Sequence, residues 1–233
     1  GVDLNHEDLT GKSSGDLFDQ NYGAYDHGTH VAGIAAAIHN NIGKIKGVDA
    51  NAQIISKRIF EAGGNLGDPN IANKIISAVD DGANILNNSW GSNQYSITVR
   101  LAFSYAFKLN IVTVAIMHNW YQILNNPVVY PAAFGQGIIA VGATTNRDEW
   151  SPFSGARDYI DIVAPGGESL NTTFDPVGPE DIYSSIPGDN YSHKSGTSMA
   201  APQVSGIASL LMGYAQENLG ISLFNDDIEQ IIK

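Results

Sequence analysis

The chain has 233 residues, of which 43% are hydrophobic and 15% charged. This is the composition of a core-forming globular protein, and it excludes a disordered chain. The formal net charge of −12 argues against nucleic acid and anionic membranes as partners, because both attract basic proteins through their phosphate groups. The absence of cysteine excludes disulfides and thiolate metal sites, and the apolar runs are too short for a membrane-spanning helix.

Apolar, β-branched runs alternate with longer amphipathic stretches. Strands are predicted at Gln53–Phe60, Asn84–Asn88, Ile111–Met117, Gly137–Gly142 and Tyr159–Val163, and helices at His27–Ile38, Pro69–Asp81, Tyr95–Lys108, Ser198–Glu217 and Asn225–Lys233. Near-continuous apolar strands separated by helices are typical of an α/β fold, with a mostly parallel sheet and helices on both faces. The stretch Gly166–Asn190, rich in glycine, proline, aspartate and serine, predicts a long surface loop.

Two histidines, His27 and His30, lie one helical turn apart in the stretch HGTHVAGIAAA. That spacing permits a general base, a metal ligand or a structural helix residue. A zinc site of the H-E-x-x-H type is disfavoured, because the glutamate is absent and no third ligand is evident. Gly33 and the alanines that follow predict close packing of this helix against its neighbours.

Ser198 follows Gly196 at the start of a predicted helix whose first turn is expected to include Pro202. The free backbone N–H groups of a helix N-terminus can stabilise an oxyanion, although an ordinary N-cap serine fits the same position. An α/β-hydrolase would place its histidine after the serine, but the last histidine is His193. The chain order is therefore histidine first and serine second.

The stretches DHGTHVA at 26–32 and SGTSMAAP at 195–202 resemble the histidine and serine signatures of subtilisin-like serine proteases, the subtilases. The resemblance extends along essentially the whole chain. It implies one catalytic domain over residues 1–233, with a three-layer subtilisin-like α/β fold. It further implies a secreted serine endopeptidase that acts on polypeptides as a monomer, with a propeptide in the precursor.

Carried over by that resemblance, His27 would be the general base, Ser198 the nucleophile and Asn119 the side-chain donor to the oxyanion, while His30 would pack structurally. The family's usual A-A-G-N reads IMHN at 116–119, so that His118 stands in place of a glycine. Substrate would pair with Ser89, Trp90 and Gly91. His118 on the wall and Val129 on the floor would make the first specificity pocket small, favouring small or medium apolar residues.

The family's catalytic aspartate heads a turn that ends where Gly1 stands, followed by a stretch like VDLNHEDL at 2–9. The resemblance therefore places that aspartate just upstream of Gly1, and neither Asp3 nor Asp26 matches its position. The domain is accordingly expected to be incomplete at its N-terminus and at its C-terminus, and the chain as it stands to be impaired. An inactive subtilase-fold module that binds peptides is the alternative.

The segment IHNNIGK at 38–44 resembles the family's calcium loop. By that match Asp8 and Asn40 would supply side-chain oxygens to a structural Ca²⁺ ion, and Ile38, Ile42 and Lys44 would supply backbone carbonyls. Hard oxygen ligands of mixed origin suit Ca²⁺. A plain turn without a metal ion remains open for the same residues.

Overall fold

The computed structural model describes residues 1–39, 44–119, 125–135, 137–170 and 177–233. At its centre lies a four-stranded, all-parallel sheet in the order β5–β6–β7–β8. Its strands are Ile85–Asn88 (β5), Val112–Ile116 (β6), Ile138–Thr144 (β7) and Ile162–Pro165 (β8). Every residue of β6 and β7 is buried, because helices cover both faces of the sheet.

Five α-helices surround this sheet in the described part of the chain: His27–Ala36 (α1), Asp68–Asp80 (α2), Ile97–Lys108 (α3), Thr197–Tyr214 (α4) and Asn225–Ile232 (α5). Helices α2 and α3 bury apolar side chains against one face, and α4 and α5 against the other. The result is the predicted three-layer α/β fold. A 3₁₀ helix spans Ala132–Phe134, and a π-helical turn, Ala215–Leu219, continues α4. No described helix is both long and apolar enough to cross a membrane.

Three further strand pairs lie outside the central sheet. Ser13–Gly15 (β1) and Ile54–Ser56 (β2) pair in parallel, Phe60–Glu61 (β3) and Gly64–Asn65 (β4) form a short hairpin, and Ile182–Ile186 (β9) and Asn190–Lys194 (β10) form a longer one. The prediction of one strand over Gln53–Phe60 was wrong. That stretch contains β2 and the start of β3, separated by residues 57–59 in irregular backbone.

The loop predicted at Gly166–Asn190 is interrupted by strand β9, so its second half was predicted wrongly. The hairpin is held against α1 by hydroxyl groups: Ser184 Oγ donates to the carbonyl of His30 (2.9 Å) and Ser185 Oγ to that of Thr29 (3.2 Å). Since these strands are fixed by polar contacts, the apolar alternation that signals a strand is missing from their sequence.

Strands β2 and β5 face each other across a cavity of about 670 Å³ instead of pairing. Both strands line the cavity, as do residues of α1 that include His27 and Val31. The carbonyl oxygen of Gly1 lies against Gly28, so closely that a Cβ on Gly28 would collide with it. The first residue described is thus next to the first turn of α1.

Candidate active site

His27 is the first residue of α1, a helix that packs against α4 and against hairpin strand β9. The close approach depends on Gly33, where a Cβ would overlap the hydroxyls of Ser184 and Ser185. Burial lowers the pKa of His27 to about 4, the ammonium of Lys194 acts in the same direction, and the carboxylate of Asp26 opposes both. His27 is therefore a neutral imidazole at physiological pH, the form that accepts a proton.

Two acidic residues near His27 in sequence are engaged elsewhere. Asp26 pairs with Lys194, with a separation of 2.9 Å between Oδ2 and Nζ. The carboxylate of Asp3 accepts hydrogen bonds from the backbone N–H groups of Asn5 (3.1 Å) and Gly188 (2.9 Å). Their contacts are consistent with the expectation that neither aspartate is the partner that orients His27.

Ser198 is the second residue of α4, after an N-cap at Gly196 whose φ of 145° suits glycine alone. The first N–H groups of a helix have no intrahelical acceptor, so the Ser198 N–H occupies a position suited to binding an oxyanion. Pro202 lies in the second turn of α4 and not in the first, so the prediction for this residue was wrong.

Pro202 affects the hydrogen bonding of the Ser198 carbonyl. A proline inside a helix has no N–H to give to the carbonyl four residues earlier, which here belongs to Ser198. The Ser89 hydroxyl donates to that carbonyl instead, at 2.9 Å. In return, Ser198 Oγ donates to the Ser89 carbonyl, at a longer 3.3 Å. Ser89 also lines the cavity that His27 lines.

The side chain of Asn119 contacts the N-terminal end of α4, the helix that carries Ser198. Asn119 follows β6 by three residues, and its Oδ1 accepts hydrogen bonds from the N–H and the hydroxyl of Thr197, both at 2.9 Å. A Cβ on Gly196 would lie 2.8 Å from Asn119 Nδ2, so the amide is packed against the residue that begins the helix. The side-chain amide and the N–H of Ser198 thus lie at one end of α4.

His118 is 2% exposed and has a φ of 68°, in the left-handed region that favours glycine. Its Nε2 lies 3.3 Å from the carbonyl oxygen of Pro127, and burial lowers its pKa to about 4, although that carbonyl raises it in part. Val129, two residues beyond Pro127, is fully buried against Gly91. His118 and Val129 are the two residues predicted for the first specificity pocket. His118 thus contacts the segment 127–129, and Val129 is part of it.

The segment Ser89-Trp90-Gly91 continues from β5 and leads into an antiparallel bridge between Ser92 and Tyr130. Trp90 Nε1 donates to Asn88 Oδ1 at 3.1 Å, which fixes the indole. Beside this segment is a second cavity of about 140 Å³ with a mixed lining. Its aromatic and aliphatic residues are Phe60, Ile71, Trp90, Val99, Tyr130 and Phe134, and its polar residues are Asn65, Asp68, Ser92, Asn93, Gln94 and Ser96.

Comparison with known proteins agrees with this arrangement. The model of the subtilase family matches residues 1–233. The chain belongs to the subtilase family. It is 37% identical over 226 residues to the thermophilic serine proteinase of Bacillus sp. (strain AK1), covering 95% of this chain and 52% of that protein. It is 35% identical over 232 residues to thermitase of Thermoactinomyces vulgaris, covering 97% and 77%.

A solved cold-adapted subtilisin-like serine proteinase matches the fold of this subtilase with a TM-score of 0.77 and 26% identity, covering 99% of this chain and 77% of that chain. The chain spans only about half of the Bacillus proteinase and about three quarters of thermitase. The predictions of the family and of the fold are both confirmed by these matches.

The predicted calcium residues of this subtilase are described only in part, because Asn40 and Ile42 lie outside the described residues. Asp8 is fully buried, and Tyr191 donates its hydroxyl to Asp8 Oδ2 at 2.7 Å. The N–H of Ile38 donates to the Asp8 carbonyl at 3.1 Å, which places the main chain after α1 beside this aspartate. Lys44 forms an ion pair with Glu7 through its side chain.

His30 packs as expected of a structural residue. It is fully buried, its Nε2 lies 3.0 Å from the carbonyl oxygen of Ser192, and burial lowers its pKa to about 4. Sequence reasoning missed the hydroxyl role of Ser89, which had been considered only as part of the peptide-binding segment. The signal that points to it is Pro202, since its position four residues after Ser198 leaves a carbonyl in need of a donor.

Proposed function

We propose that this subtilase chain forms the body of a serine endopeptidase, in which His27 is the general base and Ser198 the nucleophile. The observation that carries the proposal is the position of the Asn119 amide at the N-terminal end of the helix that bears Ser198. A side-chain amide and a backbone N–H at the same helix end as a serine are the kind of donors that acyl transfer requires. Relatives that are themselves named serine proteinases support the same activity.

In this proposal, neutral His27 removes the proton of Ser198 Oγ as that oxygen bonds to the scissile carbonyl carbon. The carbonyl oxygen becomes an oxyanion, held by Asn119 Nδ2 and the N–H of Ser198. Collapse of this tetrahedral intermediate breaks the C–N bond of the scissile peptide. The imidazolium of His27 gives its proton to the leaving amine, and the acyl group remains on Ser198. Water, activated by His27 in the same way, then releases the acid and restores the serine.

We further propose that the carboxylate orienting His27 comes from residues joined to the N-terminal side of Gly1. The contact between the Gly1 carbonyl and Gly28 supports this proposal, because the residues before Gly1 would begin beside His27. The gap between the unpaired edges of β2 and β5 supports it as well, since an extended segment there would complete one sheet. Restoring that segment is expected to raise activity by about 10⁴-fold, the loss recorded when a triad aspartate is neutralised.

Substrate is proposed to lie extended along Ser89-Trp90-Gly91, with its main chain pairing as an added strand. The cavity beside Trp90, whose lining includes four aromatic residues, offers room for a substrate side chain. The buried ring of His118 supports a first specificity pocket that accepts small or medium apolar residues. Secretion, a monomeric state and a propeptide stay predictions from the family resemblance.

A structural Ca²⁺ ion is proposed at Asp8, with main-chain carbonyls of Ile38, Ile42 and Lys44 and the side chain of Asn40. The buried carboxylate of Asp8, beside the main chain that follows α1, supports this proposal because Ca²⁺ prefers carboxylate and carbonyl oxygens. Chelation of Ca²⁺ is expected to lower the melting temperature, and Asp8→Asn to abolish the difference. An equal melting temperature with chelator and with excess Ca²⁺ would contradict the site.

The activity is tested on the full-length protein that contains this chain, with a fluorogenic peptide library. Ser198→Ala and His27→Ala are each expected to abolish hydrolysis above background, and Asn119→Ala to lower kcat about 10²–10³-fold. Ser222→Ala, a change at an exposed serine near the C-terminus, is the matched control. Hydrolysis that survives Ser198→Ala would refute the proposal.

Labelling by a serine-directed fluorophosphonate separates the enzyme from the alternative. Ser198-dependent labelling supports the endopeptidase. Peptide binding with neither labelling nor hydrolysis would instead identify an inactive peptide-binding module on the subtilase fold.

A further inference from the structure

Asp181 closes the base of the polar loop between β8 and β9. It is 7% exposed, and its carboxylate accepts hydrogen bonds from both sides of that loop. On the first side the donors are the N–H of Glu168 (2.9 Å) and the N–H and hydroxyl of Ser169 (3.2 and 2.5 Å). On the other side the donor is the N–H of Gly178, at 2.9 Å. One carboxylate thus joins chain segments that are about ten residues apart.

The fit around this carboxylate is tight. Gly167 has a φ of 85°, and a Cβ there would collide with Asp181 Oδ1. Burial raises the pKa of Asp181, but the hydrogen bonds from Ser169, Gly178 and Glu168 outweigh it and leave that pKa below its usual value. The carboxylate is therefore ionised at neutral pH, and its hydrogen bonds are charge-assisted.

The start of this loop, residues 166–169, also forms hydrogen bonds with the segment that precedes Ser198. Ser195 Oγ donates to the carbonyl of Ser169 at 2.5 Å, and the N–H of Gly196 donates to the carbonyl of Gly166 at 2.8 Å. Asp181 fixes Ser169, and Ser169 fixes Ser195. The chain of contacts therefore runs from a buried carboxylate to the residue just before the N-cap of α4.

We propose that Asp181 is a positioning residue that holds the oxyanion-binding end of α4 in place. By fixing Ser169 and through it Ser195 and Gly196, it sets the direction of the Thr197 and Ser198 N–H groups relative to Asn119. This inference rests on the proposed endopeptidase function, because its catalytic consequence is the alignment of the oxyanion donors. Misplacement of catalytic groups by about 1 Å is sufficient to cost about 10²-fold in rate.

The kinetic test compares Asp181→Asn with Glu180→Gln in the full-length protein. The neighbouring Glu180 is 3.4 Å from Ser169 Oγ, a longer contact than that of Asp181 within the described part of the loop, which makes it a matched carboxylate control. Asp181→Asn turns an N–H donor toward Gly178 or Ser169, and it is expected to lower kcat per titrated active site about 10–100-fold with little change in KM. The affinity for a peptide boronic acid, a mimic of the tetrahedral intermediate, should fall in parallel, whereas the affinity for a product peptide should not.

A role limited to stability would lower the fraction of titratable sites and leave kcat per site unchanged, and that result would overturn the proposal. Ser195→Ala should reproduce the loss, and Ser195→Thr, which keeps the hydroxyl, should restore most of it. Amide hydrogen exchange at residues 196–199 provides a readout that needs no turnover. Faster exchange in Asp181→Asn than in Glu180→Gln supports the positioning role of Asp181, and equal exchange refutes it. A wild-type protein without Ser198-dependent hydrolysis would contradict the proposed function, while the exchange data would still decide the role of Asp181.

Discussion

At the scale of single residues, His118 has a backbone conformation that is unusual for its residue type. A histidine in the left-handed backbone region carries a conformational cost of about 1–2 kcal/mol that glycine does not have. The ring is nevertheless buried and lies against Pro127 and Gly155. Its packing against these residues therefore offsets the backbone cost.

Replacing His118 by glycine is expected to relieve the backbone and to enlarge the first specificity pocket. Cleavage after large aromatic residues should rise at least about 10-fold in kcat/KM relative to cleavage after alanine, since each added group in an apolar pocket contributes about 10-fold or more. A peptide library measures this shift. His118→Asn, which tolerates the same backbone conformation, should give an intermediate profile. A wild-type profile already dominated by phenylalanine or by basic residues would contradict the small pocket.

Sequence patterns identified the catalytic candidates because each lies in a short motif around His27, Ser198 or Asn119. They did not identify Asp181 or the hydroxyl of Ser89. Ser89 and Ser198 are 109 residues apart, and their hydrogen bond exists only because β5 and α4 meet in the fold. Contacts of this kind have no local period or spacing, so they become visible only when the segments are placed in space.

At the scale of elements, the close contact of α1 with hairpin β9–β10 fixes the helix that carries His27. Gly33→Ala places a methyl group against Ser184 and Ser185, and it is expected to destabilise the protein by about 1–3 kcal/mol through overpacking. Gly213→Ala in α4, where a Cβ meets open space, should instead stabilise it by about 0.4–1 kcal/mol. Urea denaturation measures both. Equal effects of the two substitutions would show that the contact is not tight.

The five helices were predicted with ends close to those observed, because each shows an apolar stripe or recognisable terminal residues. Three of the four central strands were also located, since buried parallel strands read as continuous apolar runs. The fourth was predicted at Tyr159–Val163, but β8 begins three residues later and extends to Pro165. The peripheral strands were not located. Hairpin β9–β10 is polar and is held by serine hydroxyls, and β1–β2 and β3–β4 have only two or three residues in each strand. Strands this short contain too few residues for a hydrophobic pattern to be recognised in the sequence.

At the scale of the whole molecule, the buried histidines connect stability to pH. Burial lowers the pKa values of His27, His30 and His118 to about 4, from an ordinary value of 6.5. Between these values the unfolded chain binds protons that the folded chain does not, so the free energy of unfolding must fall as the pH is lowered. The buried His30 and His118 should each remove about 2 kcal/mol by about pH 5, at 1.36 kcal/mol for each pKa unit.

Urea denaturation at a series of pH values from about 7 down to about 5 measures this dependence, in a window above the titration of ordinary carboxylates. His118→Asn removes one of the three groups, and its stability should therefore vary less steeply with pH, by close to one proton in the slope. Ser222→Ala, a change at an exposed residue that does not titrate, should retain the wild-type slope. If His118→Asn keeps the full slope, the pKa of His118 is not lowered in the folded state, and the effect of burial on this ring is contradicted.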